Sequence, residues 1–486
     1  MLKTYLCPKS FFFNYRKIYN IPVSEENYVM KIYGLKKEEI EEAVKSGEVS
    51  VAVYGLGKIG LPLAAIFASK GARVIGVDIN ENVVNSINNG ENPIPEEPGL
   101  SELLEKAVSD GRMYATTDLV NAARQADVMI IVVPTLIDDA NNPDISAVKS
   151  VCESIASGIE RGDFVVTEST LPPRTTEKII VPTLERSGLK LGDFGVAHCP
   201  ERVSSGRAIE DITRAYPKIV GGADEKSTET AHALYSVINE RGVISVRDAT
   251  TAEAVKVFEG IYRDVNIALA NQLAIVCEEL GIDAFETFKA ANSQPYCNIH
   301  IPGCGVGGHC IPVYPYFVIK TVKADTTLLE IARKINDDMP KLTVEKAKSL
   351  LKEEGIPASG TSEKGESVEK PRVLVLGLTF RGGVKETRFS PALKIIEMLK
   401  EDADVFAYDP LLSKEETERY APYMHPDDAK DLDAIIIATD HDDFKHINWN
   451  HISEKMRRKL VIDGRNVADV HELRMKGFKY VGIGHS

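Results

Sequence analysis

Two short segments carry residue types that could do chemistry. The first is Gly55-Leu56-Gly57-Lys58-Ile59-Gly60. It follows the apolar run VSVAVY, opens the helical pattern IGLPLAAIFASKG, and is answered by Asp78 at the end of the next apolar run, ARVIGVDI. In that context a G-x-G-x-x-G cradles a dinucleotide: Gly55 permits the tight turn, Gly57 lets the pyrophosphate approach the backbone, and Gly60 lets helix and sheet pack closely. The helix N-terminus adds N–H donors and partial positive charge. A carboxylate at Asp78 accepts from both ribose hydroxyls and repels a 2′-phosphate, so the loop predicts NAD rather than NADP.

The second segment is Pro302-Gly303-Cys304-Gly305-Val306-Gly307-Gly308-His309-Cys310-Ile311-Pro312. Four glycines so close together cost backbone entropy and suit a loop that bends tightly beside a ligand. Cys310 closes the loop. A thiol there can be activated as a thiolate by a nearby cation or by aimed N–H groups; the alternative is a buried structural cysteine. His300, Cys304, His309 and Cys310 invite a metal reading, but their spacing fits no zinc pattern, so no metal is predicted. A hydride acceptor and a nucleophilic thiol together imply a definite sequence. An alcohol is oxidised to an aldehyde, the thiol traps it as a thiohemiacetal, a second hydride transfer gives a thioester, and water releases an acid. Two NAD are consumed per turnover.

The elements that must position these segments follow from periodicity. Short β-branched runs (VMIIVVP, FVVTEST) alternate with helical stretches, which means a parallel sheet covered on both faces. From about residue 250 to 279 one long helical pattern takes over, with Gly260 as its only breaker, and its apolar stripe suits a dimer interface. VLVLGLTF opens a second α/β unit continued by DVFAYDP and LDAIIIATD, without a glycine cradle, so it predicts a different nucleotide-like group at its strand ends. The resulting division is 1–49, an N-terminal extension, partly helical; 50–248, the NAD-binding domain; 249–350, a central helical domain with the cysteine loop; 351–370, a polar mobile linker; and 371–486, the second α/β domain. With 486 residues, about three domains are expected. A net charge of −14 argues against nucleic acid or an anionic membrane as partner, and no apolar run spans a bilayer. Seven scattered cysteines without a CxxC pair suit free thiols in a reducing cytoplasm.

At these residues the sequence resembles the UDP-glucose/GDP-mannose dehydrogenase family, from residue 51 to the C-terminus. The motifs, in order, are GLGKIGLPLA, IPEEPGL, ESTLPP, CPERVSSG, AEAVKVFEGIYRDVNIALANQL, PGCGVGGHCIP and GLTFRGGVKETRFSPAL. The resemblance implies two Rossmann-like doubly wound α/β domains joined by a long central helix that forms a homodimer core, and four-electron oxidation of a UDP-sugar at C6. The wording looks most like the branch acting on UDP-N-acetylmannosamine, with UDP-N-acetylglucosamine and UDP-glucose as alternative substrates. A non-catalytic nucleotide-sugar-binding regulator is the alternative from another class.

Carried over residue by residue, the resemblance makes Cys310 the nucleophile, Lys256 the oxyanion stabiliser and Glu201 the base of thioester hydrolysis. Thr170 then lies near the water and the cofactor, and Thr135 joins the cofactor contacts. Glu201, Arg202, Val203, Lys256, Arg263, Asn298, Gly307 and Arg388 contact substrate, Arg388 from the partner subunit. Two positions depart from the family pattern. Gly260 stands where an asparagine usually follows the lysine by four, and Tyr314 where an aspartate usually follows the cysteine by four. A phenol cannot serve as a base near neutrality, though it can order a water. In addition, Pro295-Tyr296-Cys297 replaces the Pro-Arg-Val common in that branch.

Overall fold

The computed structural model describes residues 31–204, 206–356 and 369–485. Residues 1–29 and most of the expected linker lie outside them. The chain divides into two compact units, one running to Thr135 and over Asp144–Lys256, the other made of Leu136–Pro143 and the chain from Val257 onward.

The first unit is built on an eight-stranded sheet: β1 (Ser50–Tyr54), β2 (Arg73–Val77), β3 (Met113–Thr116), β4 (Val128–Ile131), β5 (Phe164–Thr167), β6 (Gly195–His198), β7 (Lys218–Gly222) and β8 (Val243–Ser245), in the spatial order 8-7-6-5-4-1-2-3. Strands β1 to β6 are parallel in the doubly wound order 3-2-1-4-5-6, whose switch point lies between β1 and β4. Strand β7 is antiparallel to β6. All five residues of β1 are buried, as expected for a strand with helices on both faces. Helix α1 (Lys37–Ser46) buries Ile40, Ala43 and Val44 and stops at a left-handed Gly47. With Ile32 it belongs to the same core as β1, so this part of the expected extension is integral to the unit. Helix α2 (Gly60–Ser69) is apolar nearly all round and buried from Gly60 to Ala68.

Helix α3 (Ala249–Leu280) is 32 residues long, about 48 Å at 1.5 Å per residue. Its residues from Val257 onward belong to the second unit. There Ala270, Ala274 and Cys277 pack with Phe288, Met339 and Ile483, while Phe258, Tyr262, Leu269, Val276 and Leu280 are exposed. Helices α4 (Tyr314–Ile319) and α5 (Thr327–Glu353) follow. Helix α5 runs three residues into the stretch expected as linker. The second sheet holds β9 (Arg372–Leu376), β10 (Asp404–Tyr408), β11 (Ala434–Ile437), β12 (Leu460–Asp463) and β13 (Lys479–Gly482), all parallel, in the order 10-9-11-12-13. This is the other doubly wound order, 2-1-3-4-5, with its switch point between β9 and β11. Among the described residues no helix is long and apolar enough to cross a membrane.

Candidate active site

The glycine loop leaves β1 at its carboxyl end, and each glycine has its own cause. Gly55 has φ 97°, and a side chain on it would meet the Val132 carbonyl at 2.4 Å. A Cβ on Gly60 would fall 1.8 Å from the Gly55 carbonyl. Gly57 has nothing within 4 Å of its Cβ position, so the space above its backbone is open to a ligand. Lys58 is exposed and pairs with Glu96 at 3.4 Å; Ile59 is half-buried. Asp78 follows β2, half-exposed, one oxygen accepting from Leu56 N and the other from Asn80 N, each at 2.9 Å. The neighbouring Ile79 side chain is 86% exposed, a free apolar surface beside the acid. Open backbone, helix start and ribose-height carboxylate fit a dinucleotide.

On the other side of the switch point, Thr170 ends the loop after β5 and is buried. Thr135 Oγ1 donates to its carbonyl at 2.7 Å, so these two sequence-predicted residues come together. The same loop is held by a residue that sequence reasoning missed. Glu253, fully buried at the start of α3, accepts from Arg174 N at 2.6 Å, from Thr176 N at 2.7 Å and from Thr176 Oγ1 at 2.6 Å. Its burial pushes its carboxyl up to about 7. Arg174 is thereby fixed at φ 76°, unusual for a non-glycine residue. Lys256, half-buried, lies three residues further along the helix. The available signal was an acid within the otherwise apolar stretch AEAV.

Glu201 sits just past β6, buried. Its Oε2 accepts from Lys218 Nζ at 2.6 Å and its Oε1 from Arg202 N at 2.7 Å. Lys218 also lies 3.1 Å from Glu168, whose other oxygen accepts from the Tyr235 hydroxyl. Arg202 points its guanidinium at the Pro217 carbonyl and over the Tyr216 ring; Val203 is half-buried beside it.

In the second unit the cysteine loop is pinned along its length. Gly303 N donates to Asn271 Oδ1 of α3 at 2.9 Å, Cys304 N to the Gly464 carbonyl at 2.9 Å, and Gly308 N to the Arg388 carbonyl at 3.0 Å. Arg465 donates to the Gly305 carbonyl at 3.1 Å. Asn271 is itself tied to Asn336 of α5, and Asn336 and Arg333 to Asp264 of α3. The four glycines each lie close to protein atoms. Side chains on them would crowd Arg465, the Pro391 and Pro340 rings, and Phe380, all within 3.2 Å. They are needed for close approach to protein, which clamps the loop and leaves Cys310 half-buried at its end. His309, weighed above only as a metal ligand, adjoins Cys310, and its interaction with that thiol chiefly raises the imidazole's affinity for a proton.

The two departures from the family pattern are one packing feature. A Cβ on Gly260 would lie 2.6 Å from Cδ2 of Tyr314, so the phenol ring occupies the space a side chain on α3 would take. Tyr314 is buried with Val257, Val313 and Phe317, and its N–H donates to the Cys310 carbonyl at 2.9 Å. Of the remaining predicted substrate residues, Arg263, Asn298 and Arg388 are exposed and Gly307 is half-buried against Phe380. The Asn298 carbonyl accepts from Asn266 on α3 at 2.9 Å, while Tyr296 is 95% exposed. Among the described residues no group of three or more His, Cys, Asp or Glu side chains could hold a metal.

Two doubly wound sheets, one with a dinucleotide cradle, together with a half-buried thiol on a clamped loop, define a nucleotide-dependent oxidoreductase. Family models agree in register with these parts. Residues 49–239 match the NAD binding domain of the UDP-glucose/GDP-mannose dehydrogenase family, residues 250–338 its central domain and residues 374–470 its UDP binding domain. The chain is 39% identical to a UDP-N-acetyl-D-mannosamine dehydrogenase of Pyrococcus horikoshii, over 89% of this chain and 99% of that one. It is 34% identical to an NDP-N-acetyl-D-galactosaminuronic acid dehydrogenase of Ralstonia nicotianae, over 86% and 96%. The solved UDP-D-ManNAc dehydrogenase structure from Pyrococcus horikoshii superposes with a TM-score of 0.80 at 38% identity, covering 90% of this chain and 99% of that one. The chain therefore belongs to the UDP-glucose/GDP-mannose dehydrogenase family and is an NAD-dependent nucleotide-sugar dehydrogenase.

Proposed function

We propose that the enzyme oxidises the C6 hydroxyl of a UDP-hexosamine to a carboxylate, with UDP-N-acetylmannosamine as its substrate and two NAD reduced per sugar. The observation that carries this reading is Cys310, held half-buried on a clamped loop beside His309, in a chain that also carries an NAD cradle. The choice of sugar rests on relatives named for UDP-N-acetyl-D-mannosamine at 36–39% identity.

NAD, when bound, accepts hydride. The residues Gly55, Gly57, Lys58, Ile59, Gly60, Asp78, Thr135 and Thr170 hold it. After the first oxidation the Cys310 thiolate adds to the aldehyde carbon, and Lys256 stabilises the resulting oxyanion. Loss of the second hydride leaves a thioester on Cys310. Glu201 takes a proton from the water that attacks it, and Thr170 orders that water; the C–S bond then breaks and the thiolate returns. Tyr314 adds an ordering hydroxyl, not a base. Arg202, Val203, Arg263, Asn298, Gly307 and Arg388 contact the substrate. We assign NAD binding to residues 50–248, the thiol and dimer surface to 249–350, and UDP-sugar binding to 371–486. The exposed Phe258, Tyr262, Leu269, Val276 and Leu280 form a stripe down α3 that supports a homodimer. Free thiols and NAD chemistry suit the cytoplasm.

The test is incubation with NAD and UDP-N-acetylmannosamine, UDP-N-acetylglucosamine and UDP-glucose. Two NADH per sugar are expected, fastest with the first. One NADH with aldehyde release would end the thioester scheme, and preference for another sugar would reassign the substrate.

A further inference from the structure

Glu201 is the visible end of a buried charge cluster. In the antiparallel pair β6–β7, His198 stands opposite Gly221. Three residues on from His198 and three back from Gly221, that register brings Glu201 level with Lys218. On the other side β5 runs parallel to β6 with Thr167 beside His198, so Glu168, the next residue, projects at the same edge. The three side chains are at most 6% exposed, and Lys218 Nζ bridges the two carboxylates at 2.6 and 3.1 Å. Behind it the Tyr235 ring lies 4.9 Å from the ammonium, and the Tyr235 hydroxyl donates to Glu168.

The other groups facing the cluster are few. Cys199 is buried and its thiol is held protonated by burial. His198 is buried, bonded to Thr167 Oγ1 at 2.9 Å and held neutral by burial. The Arg202 guanidinium is directed to Pro217. One buried ammonium therefore faces two buried carboxylates. A buried ion pair needs only one carboxylate, and the second leaves an excess negative charge unless it keeps a proton. Burial raises the Glu168 carboxyl to about 7, whereas the close Lys218 contact holds Glu201 below the usual carboxylate range despite its burial.

We propose that Lys218 is the positioning residue that keeps Glu201 ionised and aimed, and that Glu168 sets how strongly Glu201 takes up a proton. When Glu168 is protonated, Lys218 serves Glu201 alone and Glu201 is a weak base. When Glu168 ionises, it shares the ammonium and adds a negative neighbour, so Glu201 becomes a stronger base. This deepens the assignment of Glu201 as the hydrolytic base and rests on it.

The experiment compares wild type with Glu201→Gln, Lys218→Met, Lys218→Arg and Glu168→Gln, using NAD and UDP-N-acetylmannosamine. It reads NADH release, acyl adduct on Cys310 by intact mass after rapid quenching, and the pH profile of adduct loss. Glu201→Gln and Lys218→Met should both accumulate adduct, with loss slowed at least about tenfold, and Lys218→Arg should recover most of that loss. In wild type, adduct loss should rise with pH through about 7, and Glu168→Gln should flatten that rise at the low-pH rate while adduct still forms and clears. Glu168→Gln keeps the side-chain shape, so its profile decides the matter even if Lys218→Met does not fold. If Glu201→Gln accumulates adduct but Lys218→Met clears it within about twofold of wild type, or Glu168→Gln keeps the rise, the inference fails and the Glu201 assignment stands. Without adduct in Glu201→Gln, the base assignment itself falls.

Discussion

The two sheets repeat one local design with opposite outcomes. In each, the first strand ends in a left-handed glycine pressed on the strand across the switch point: Gly55 against Val132, Gly377 against Thr439. In each, the second strand is followed by an aspartate that caps the loop: Asp78 and Asp409. Asp78 gives its two oxygens to one N–H each and remains half-exposed. Asp409 is 1% exposed, and one of its oxygens takes Leu378 N, Thr379 N, Thr379 Oγ1 and His441 Nε2 at 2.7–3.2 Å. Where the first loop has the open Gly57, the second has the buried Thr379. One added hydroxyl and one imidazole thus turn a half-exposed carboxylate into a structural bolt. The two loops share a backbone plan and differ in the empty volume over the second glycine, which only the first loop keeps.

The sharpest way to break this comparison is Gly60→Ala. Its methyl cannot be accommodated 1.8 Å from a carbonyl, so we expect loss of about 3 kcal/mol and of measurable NAD binding, by thermal unfolding and NADH fluorescence. Next come the two aspartates. Asp409→Asn should destabilise by about 2–3 kcal/mol, since an amide cannot accept all four donors at one oxygen. Asp78→Asn should weaken NAD by about 1–2 kcal/mol with little loss of stability. Equal effects of the two on unfolding would refute the contrast. A smaller effect is expected at the thiol side. Gly260→Ala should cost about 1–3 kcal/mol against the Tyr314 ring, and Tyr314→Ala in the same chain should return at least about 1 kcal/mol of it in a double-mutant cycle.

The smallest effect separates the sheets by pH. Burial raises Asp127 to about 6 and Asp163 and Glu253 to about 7, all in the first unit. An acid held neutral by the fold gives stability that is complete below its unfolded value and lost as pH rises through its folded value. Asp409 is lowered to about 2, through His441 and the loop N–H groups overcoming its burial, so its stability is present above about 4 and lost as pH falls toward 2. Hydrogen exchange, corrected for intrinsic rates, should therefore show β5 less protected at pH 8 than at pH 5. Glu253→Gln should diminish that difference, and an unchanged difference would exclude Glu253 as its source.

The sheets, the cradle and the long helix were legible because each rests on local pattern: β-branched runs, glycine spacing and helical period. Gly260 did not break α3, since its partner Tyr314 fills the notch, a long-range fact no local pattern carries. For the same reason Lys218, Glu168 and Glu253 escaped notice. Lys218 stands 17 positions from Glu201 and meets it only through strand pairing. The glycines around Cys310 stood out in the sequence, but their protein neighbours did not, because a close neighbour of protein and one of ligand demand the same residue.

Strand β7 runs against β6, and this sets a length rule on the chain that feeds it. Its first residue, Lys218, reaches Glu201 only because the loop returning from Glu201 closes in one register. Adding or deleting a single residue in β7 ahead of Gly221 would turn the ammonium to the opposite face of the sheet. The strand should therefore tolerate changes of composition far better than changes of count.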